Sequence, residues 1–249
     1  MIETVELVLR GYADRPAADL RLVNGRTYGI FDTGDGSAAA LLRALAGAEE
    51  PAAGSVRIGG FDTVTEPGKA GLCVGYCSSE TAYYGNMTVW ELLSFVAGMR
   101  GESGTRGTRE LHAILESLGL DEERNRLLSA LDDDGRRRAG LAQALVGNPA
   151  MLFLDRPAKG LGYEDATALR EDIRRITADG KTVFLVSDSA TELAELCNRF
   201  LFCDSSGVTQ PCAREDLPDE DLTPAQELFR SLTSQMARQT GDGEEEGDQ

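Results

Sequence analysis

Apolar residues in the first part of the chain come in short runs. Thr4 to Arg10 alternates as a strand does, Leu20 to Val23 is a second short apolar segment before the turn signal Asn24-Gly25, and Thr27 to Phe31 reads as a buried strand. That strand runs into a Gly/Asp-rich loop, Asp32 to Ser37, and then into a helical stretch, Ala38 to Ala46, stopped by Gly47. The unit is strand, tight loop, helix, the outline of a phosphate-binding loop. Short strands are predicted at Ser55 to Ile58 and Leu72 to Tyr76. Residues 88 to about 147 are mostly helical, with apolar spacings of three and four in Val89 to Met99 and Leu111 to Leu120, and with Gly101 to Thr108 as a polar linker.

From Ala150 strand and helix alternate again: Met151 to Leu154, Glu164 to Ala178, Thr182 to Val186, Ala190 to Cys197 and Phe200 to Cys203. Such alternation predicts a parallel sheet covered by helices. Beyond Asp204 the chain turns acidic. Thr223-Pro224-Ala225-Gln226 has the capping pattern of a helix running to about Arg238, and the Gly/Glu-rich last ten residues are expected to be disordered.

A chain of 249 residues, 41% hydrophobic, is long enough to bury a substantial core in one domain or two. Its 42 acidic against 25 basic residues, a formal charge of -17, repel nucleic-acid phosphates and anionic headgroups, so no nucleic-acid partner is expected. Five cysteines without paired CxxC spacing read as reduced, buried thiols. The single histidine, His112, gives a triad or a His-rich metal site little to build on. No apolar run approaches the roughly 20 residues of a membrane span, and no signal-peptide core stands at the N-terminus, which predicts a cytoplasmic chain without direct membrane insertion.

Five stretches, in order and in register, resemble the ATP-binding cassette (ABC) ATPases of bacterial exporters. Gly29-Ile30-Phe31 and Leu41 to Gly47 resemble the strand and helix on either side of the Walker A loop. Met87 to Leu93 resembles the start of the helical lobe, Arg136 to Pro149 the helix after the signature motif, and Met151 to Asp155 the Walker B strand, followed by Pro157, Gly160 and Leu161. The resemblance implies an α/β P-loop NTPase fold. It places a RecA-like parallel core, an antiparallel β part and a helical lobe (about 88–147) in residues 1–203, leaving 204–239 as an acidic extension with one helix and 240–249 as a tail. In the family the site binds ATP and Mg²⁺.

Set against the family's motifs, most functional positions differ. Where the family has GPNGAGKST, this chain has Asp32, Thr33, Gly34, Asp35, Gly36, Ser37, Ala38, Ala39 and Ala40. The phosphate-binding lysine falls on Ala38 and the Mg²⁺-binding hydroxyl on Ala39. The glutamine-loop position is Ser79, the LSGGQ signature is Leu131, Asp132, Asp133, Asp134 and Gly135, and the dimer-loop aspartate falls on Gly162. The catalytic glutamate falls on Arg156, whose guanidinium cannot take a proton from water. The switch histidine falls on Asp188. Tyr12, at the adenine-stacking position, and Asp155, the metal-directed carboxylate of Walker B, are retained.

Two acids and a missing lysine in the loop set negative charge against ATP phosphates, each unit charge at about 4 Å being worth about 4 kcal/mol at an effective dielectric of about 20. ATP and Mg²⁺ are therefore expected to bind weakly or not at all. Asp35 and Asp132 to Asp134 precede helices, where carboxylates cap free N–H groups. The basic run Arg136 to Arg138 is expected to pair with nearby acids.

The expected function is that of a catalytically degenerate ABC subunit, a pseudo-ATPase acting as scaffold or regulator in a homo- or heterodimer. Its expected partners are an integral-membrane permease, an intact ABC ATPase, or both, with the chain peripheral at the inner face of the cell membrane. A weakly active exporter ATPase and a soluble regulatory protein with the same fold are the alternatives.

Overall fold

The computed structural model describes residues 1–78, 85–102, 104–204 and 207–214. Seven α-helices, one short 3-10 helix (Leu128–Ala130) and twelve strands lie among them. The chain opens with β1 (Ile2–Val8), β2 (Arg21–Leu22) and β3 (Thr27–Phe31), then α1 (Ser37–Leu45), β4 (Ala53–Ile58), β5 (Phe61–Asp62), α2 (Pro67–Leu72) and β6 (Val74–Ser78). Three helices follow, α3 (Val89–Met99), α4 (Gly104–Ser117) and α5 (Asp133–Leu145), before β7 (Met151–Asp155), α6 (Tyr163–Ala178), β8 (Thr182–Ser187) and α7 (Ala190–Leu196). Short strands β9 (Arg199–Leu201), β10 (Cys203–Asp204), β11 (Gly207–Val208) and β12 (Cys212–Ala213) complete the described chain.

The larger sheet has the order β12-β9-β3-β8-β7-β6, and β9, β3, β8, β7 and β6 run parallel. Their apolar runs are buried on both faces, as a sheet covered on both sides requires. Phe153, Phe184 and Tyr28 stack at 4.7 and 4.9 Å on the face toward α1 and the antiparallel sheet β2-β1-β4-β5. Leu152, Leu154, Val183 and Leu185 face a second core shared with α3 to α7.

The helical segment is fixed to the sheet by a backbone contact. Gly75 on β6 lies so close to α5 that a Cβ would stand 1.9 Å from the Ala144 carbonyl oxygen. Only glycine permits that approach. At the other end of the segment, α3 starts with a capping box: Thr88 accepts from the Glu91 amide and the Glu91 carboxylate accepts from the Thr88 amide.

Several boundaries differ from expectation, each for a local reason. α4 begins at Gly104, inside the stretch read as a polar linker, because Gly107 is buried against the Glu102 carbonyl and Thr108 closes its turn onto the Gly104 carbonyl. α5 begins at Asp133 rather than Arg136, since the acids form its first turn. Pro67 starts a short helix, α2, where only a loop and strand were read, and the strand itself is shifted to Val74–Ser78. The predicted helix at 223–238 and the terminal tail lie outside the described residues.

Candidate functional site

The register of the parallel strands decides which residues meet. Phe31 pairs with Ser187, Asp155 with Val186 and Ser78 with Asp155, so β3, β8, β7 and β6 all end at one edge. In an open parallel sheet this carboxyl edge is where ligands sit. Asp32, Asp155 and Arg156 project from it. The Asp32 and Arg156 amides bond the carbonyls of Ser187 and Val186, each at 2.9 Å.

The loop after β3 has the shape of an anion-binding nest, with Gly34 and Gly36 both left-handed (φ 86° and 82°). Its amides are turned onto the chain's own acids. Asp32 Oδ1 accepts from the Gly34 amide at 3.0 Å, and Asp35 Oδ1 accepts from the Ser37 amide at 3.0 Å, from the Ser37 hydroxyl at 2.6 Å and from the Thr33 hydroxyl at 3.2 Å. These are Asx turns, the bond that Asp makes two residues along. Gly36 is the residue before α1 and brings no side chain to cap it. Ala38, Ala39 and Ala40 are buried in the first turn and place no polar group there.

Each acid at the edge also meets a guanidinium. Arg156 Nη1 lies 3.3 Å from Asp32 Oδ2, and Arg156 Nε lies 3.1 Å from Asp155 Oδ1. Both carboxylates are only 6% exposed and Arg156 20%. The backbone of Arg156 is left-handed, φ 46°, a strained setting for a non-glycine residue of a kind that gathers at functional positions. Arg15 Nη2 meets Asp35 Oδ2 at 2.8 Å, and its guanidinium carbon sits 4.2 Å from the centre of the Tyr12 ring. Tyr12 in turn donates its hydroxyl to the Asp35 carbonyl at 2.8 Å. Burial works against the charge on Asp35, but the bonds from Ser37 and Arg15, with a smaller one from Thr33, hold its carboxyl down to about 2.

A model of the ABC transporter family matches residues 18–159, more than half of the chain. The chain belongs to the ABC transporter family. Among relatives of this cassette, the ABC transporter ATP-binding protein NatA of Bacillus subtilis is 25% identical over 203 residues, covering 81% of this chain and 82% of NatA. The daunorubicin/doxorubicin resistance ATP-binding protein DrrA of Streptomyces peucetius is 27% identical over 190 residues, 76% of this chain and 58% of DrrA. The ATP-binding cassette sub-family A member 7 of Rattus norvegicus is 28% identical over 187 residues, 74% of this chain and 9% of its own length. In fold, the cassette matches a solved ATP-binding subunit of an ABC transporter with a TM-score of 0.79 at 19% identity, covering 94% of this chain and 99% of that one. A dimeric bacterial ABC transporter cassette matches with a TM-score of 0.74 at 16% identity over 86% of this chain and 98% of that one. The chain thus has the fold of the family's nucleotide-binding subunits, a P-loop NTPase fold.

With the family assigned, the positions read from the sequence can be placed. Tyr12, the loop Asp32 to Ser37, Asp155 and Arg156 come together at the carboxyl edge. Asp188 is exposed just past β8. Behind it the buried Ser187 hydroxyl donates to the Glu192 carboxylate, whose carboxyl is pushed up by burial and whose Oε1 has no partner among the described residues. Asp132 caps α5, accepting from the Gly135 amide at 2.8 Å, while Asp133 pairs with Arg136, Asp134 with Arg138 at 2.9 Å, and Arg137 donates to the Lys159 carbonyl at 2.8 Å. Ser79 lies outside the described residues.

One expectation needs correction. Asp32 and Asp35 are not bare negative charges, because each meets a guanidinium, Arg156 being shared between Asp32 and Asp155. Tyr12 stands with one face covered by Arg15. Arg15 was missed by sequence reasoning; its only signal is its place three residues after an aromatic and opposite an acidic loop. Among the described residues no group of three or more His, Cys, Asp or Glu is placed to hold a metal, and no helix is long and apolar enough to cross a membrane.

Proposed function

We propose that this ABC subunit is catalytically degenerate, of the exporter type, and serves as a scaffold or regulator for a permease or an active ATPase partner. The observation that carries the reading is the contact of Arg156 with both Asp32 and Asp155. The residues present do not fit Mg-ATP. The retained metal-directed carboxylate is paired with a guanidinium, the loop amides of Gly34 and Ser37 are bonded to Asp32 and Asp35, and the face of Tyr12 is covered by Arg15. Three carboxylates stand against two guanidinium groups, leaving the edge negative toward phosphates. The buried Ala38 supplies no positive charge.

An interaction role is supported by the surface of the helical segment. Phe95 and Met99 on α3 are 53% and 67% exposed, and Leu72 at the end of α2 is 54% exposed. Arg100, at the end of α3, donates to the Leu72 carbonyl at 3.4 Å and to the Val74 carbonyl. Large apolar side chains exposed on this segment suit a partner helix or loop.

The deciding measurement is titration of the purified chain with Mg-ATP. No saturable binding up to millimolar ATP is expected; a micromolar dissociation constant overturns the reading. Co-purification with a membrane permease is expected to weaken in a Phe95→Ser/Met99→Ser variant. If Ala38→Lys alone raises turnover measurably, the chain is a weak ATPase instead.

A further inference from the structure

We propose that Arg156 is a built-in cation that takes the place of a metal ion at the carboxyl edge, so that the chain itself supplies the charge that ties the loop after β3 to the end of β7. The inference rests on the reading that this edge does not take Mg-ATP, and deepens it by naming what occupies the edge instead.

The geometry requires some cation there. Asp32 and Asp155 stand at the ends of β3 and β7, on either side of β8, and both are nearly closed to solvent. Two buried carboxylates facing one locus both stay ionised only if a positive charge lies between them. Arg156 provides it from a left-handed backbone, with Nη1 at 3.3 Å from Asp32 and Nε at 3.1 Å from Asp155. Tyr76 on the neighbouring strand β6 has its hydroxyl pushed up first by burial and then by the Asp155 carboxylate beside it, so it adds no charge of its own. A fixed guanidinium also differs from a bound ion in one respect: it cannot be exchanged or chelated. The two strand ends are therefore joined in every state of the subunit, whatever the metal or nucleotide concentration.

Removing Arg156 should turn a filled cation position into a vacant one. The test is titration of the full-length chain with Mn²⁺ and Mg²⁺, without nucleotide, followed by calorimetry and by the thermal midpoint. The wild type is expected to show no saturable Mn²⁺ binding and no shift of midpoint on adding Mn²⁺ or EDTA. Arg156→Ala is expected to melt lower, to recover part of the loss in millimolar Mn²⁺, and to bind Mn²⁺ at least about tenfold more tightly than the wild type. Asp155→Asn in the Arg156→Ala background should abolish the response. Arg156→Gln, which keeps the length and the amide donor, gives the same readout if Arg156→Ala cannot be purified.

Equal Mn²⁺ responses in wild type and variant, or a response that survives Asp155→Asn, overturn the proposal. So does an Arg156→Ala protein as stable as the wild type in metal-free buffer. Mg-ATP titration of the wild type decides the function itself, and metal titration of the variants without nucleotide decides this inference, so the two failures are distinguishable.

Discussion

The loop after β3 and the loop before α5 both carry acidic residues, yet those acids are held in different ways. Around β3 and β7 the charges are mutually paired: Asp32 and Asp155, both nearly buried, share Arg156, and Asp35 is tied to Arg15 and Ser37. Before α5 the acids are helix caps and near-surface pairs, Asp133 with a side chain 75% exposed. In the first region two acids depend on one shared guanidinium. In the second each acid has its own local partner within its helix. Charges are paired where leaving them bare is costly, and pairing matters less where water can solvate them.

The largest test of this contrast is Arg156→Ala, expected to destabilise the protein by about 3 kcal/mol by baring two buried carboxylates. Denaturant unfolding of Arg156→Ala, Asp32→Asn and the double variant should give a coupling energy above about 1.5 kcal/mol, and additive effects break the comparison. Asp132→Ala should cost about 1 kcal/mol, the value of a lost helix cap. It should be additive with Arg156→Ala.

The Asp35 carboxyl, lowered from 3.8 to about 2, adds stability that is present above 3.8 and lost as pH falls through about 2. Its side chain is 38% exposed, so screening trims the contribution to roughly 1 kcal/mol. Asp35→Asn should therefore differ from wild type at pH 6 and converge with it near pH 2 in urea midpoints. Smallest of all, Asp133→Asn should change stability by under about 0.5 kcal/mol, because its exposed pair with Arg136 is worth little. A larger loss would mean that the loop before α5 is also a coupled network.

Much of the fold was legible because its signals are local. Thr27–Phe31, Val89–Met99 and the strands β7 and β8 follow directly from apolar runs and spacing, and the loop between β3 and α1 from its glycines. α2 was hidden because six residues with one buried side chain carry no period to read. At the site, identity and position could be read from the register of motifs, but pairing could not. Whether Arg156 points away from the edge or back across it depends on a left-handed backbone turn, and whether Arg15 reaches Tyr12 depends on the path of a loop. Neither contact is fixed by the order of residues alone.

The contact of Gly75 with Ala144 bears on how the subunit can move. At Gly75 backbone is set directly on backbone, with no compliant side chain between α5 and β6 that could slide or repack there. The strand and the helix must therefore turn as one lever. A push received on the exposed face of α3, which packs on α5, reaches the sheet at its β6 border as a tilt of that border. Any flexing must take place in the loops on either side.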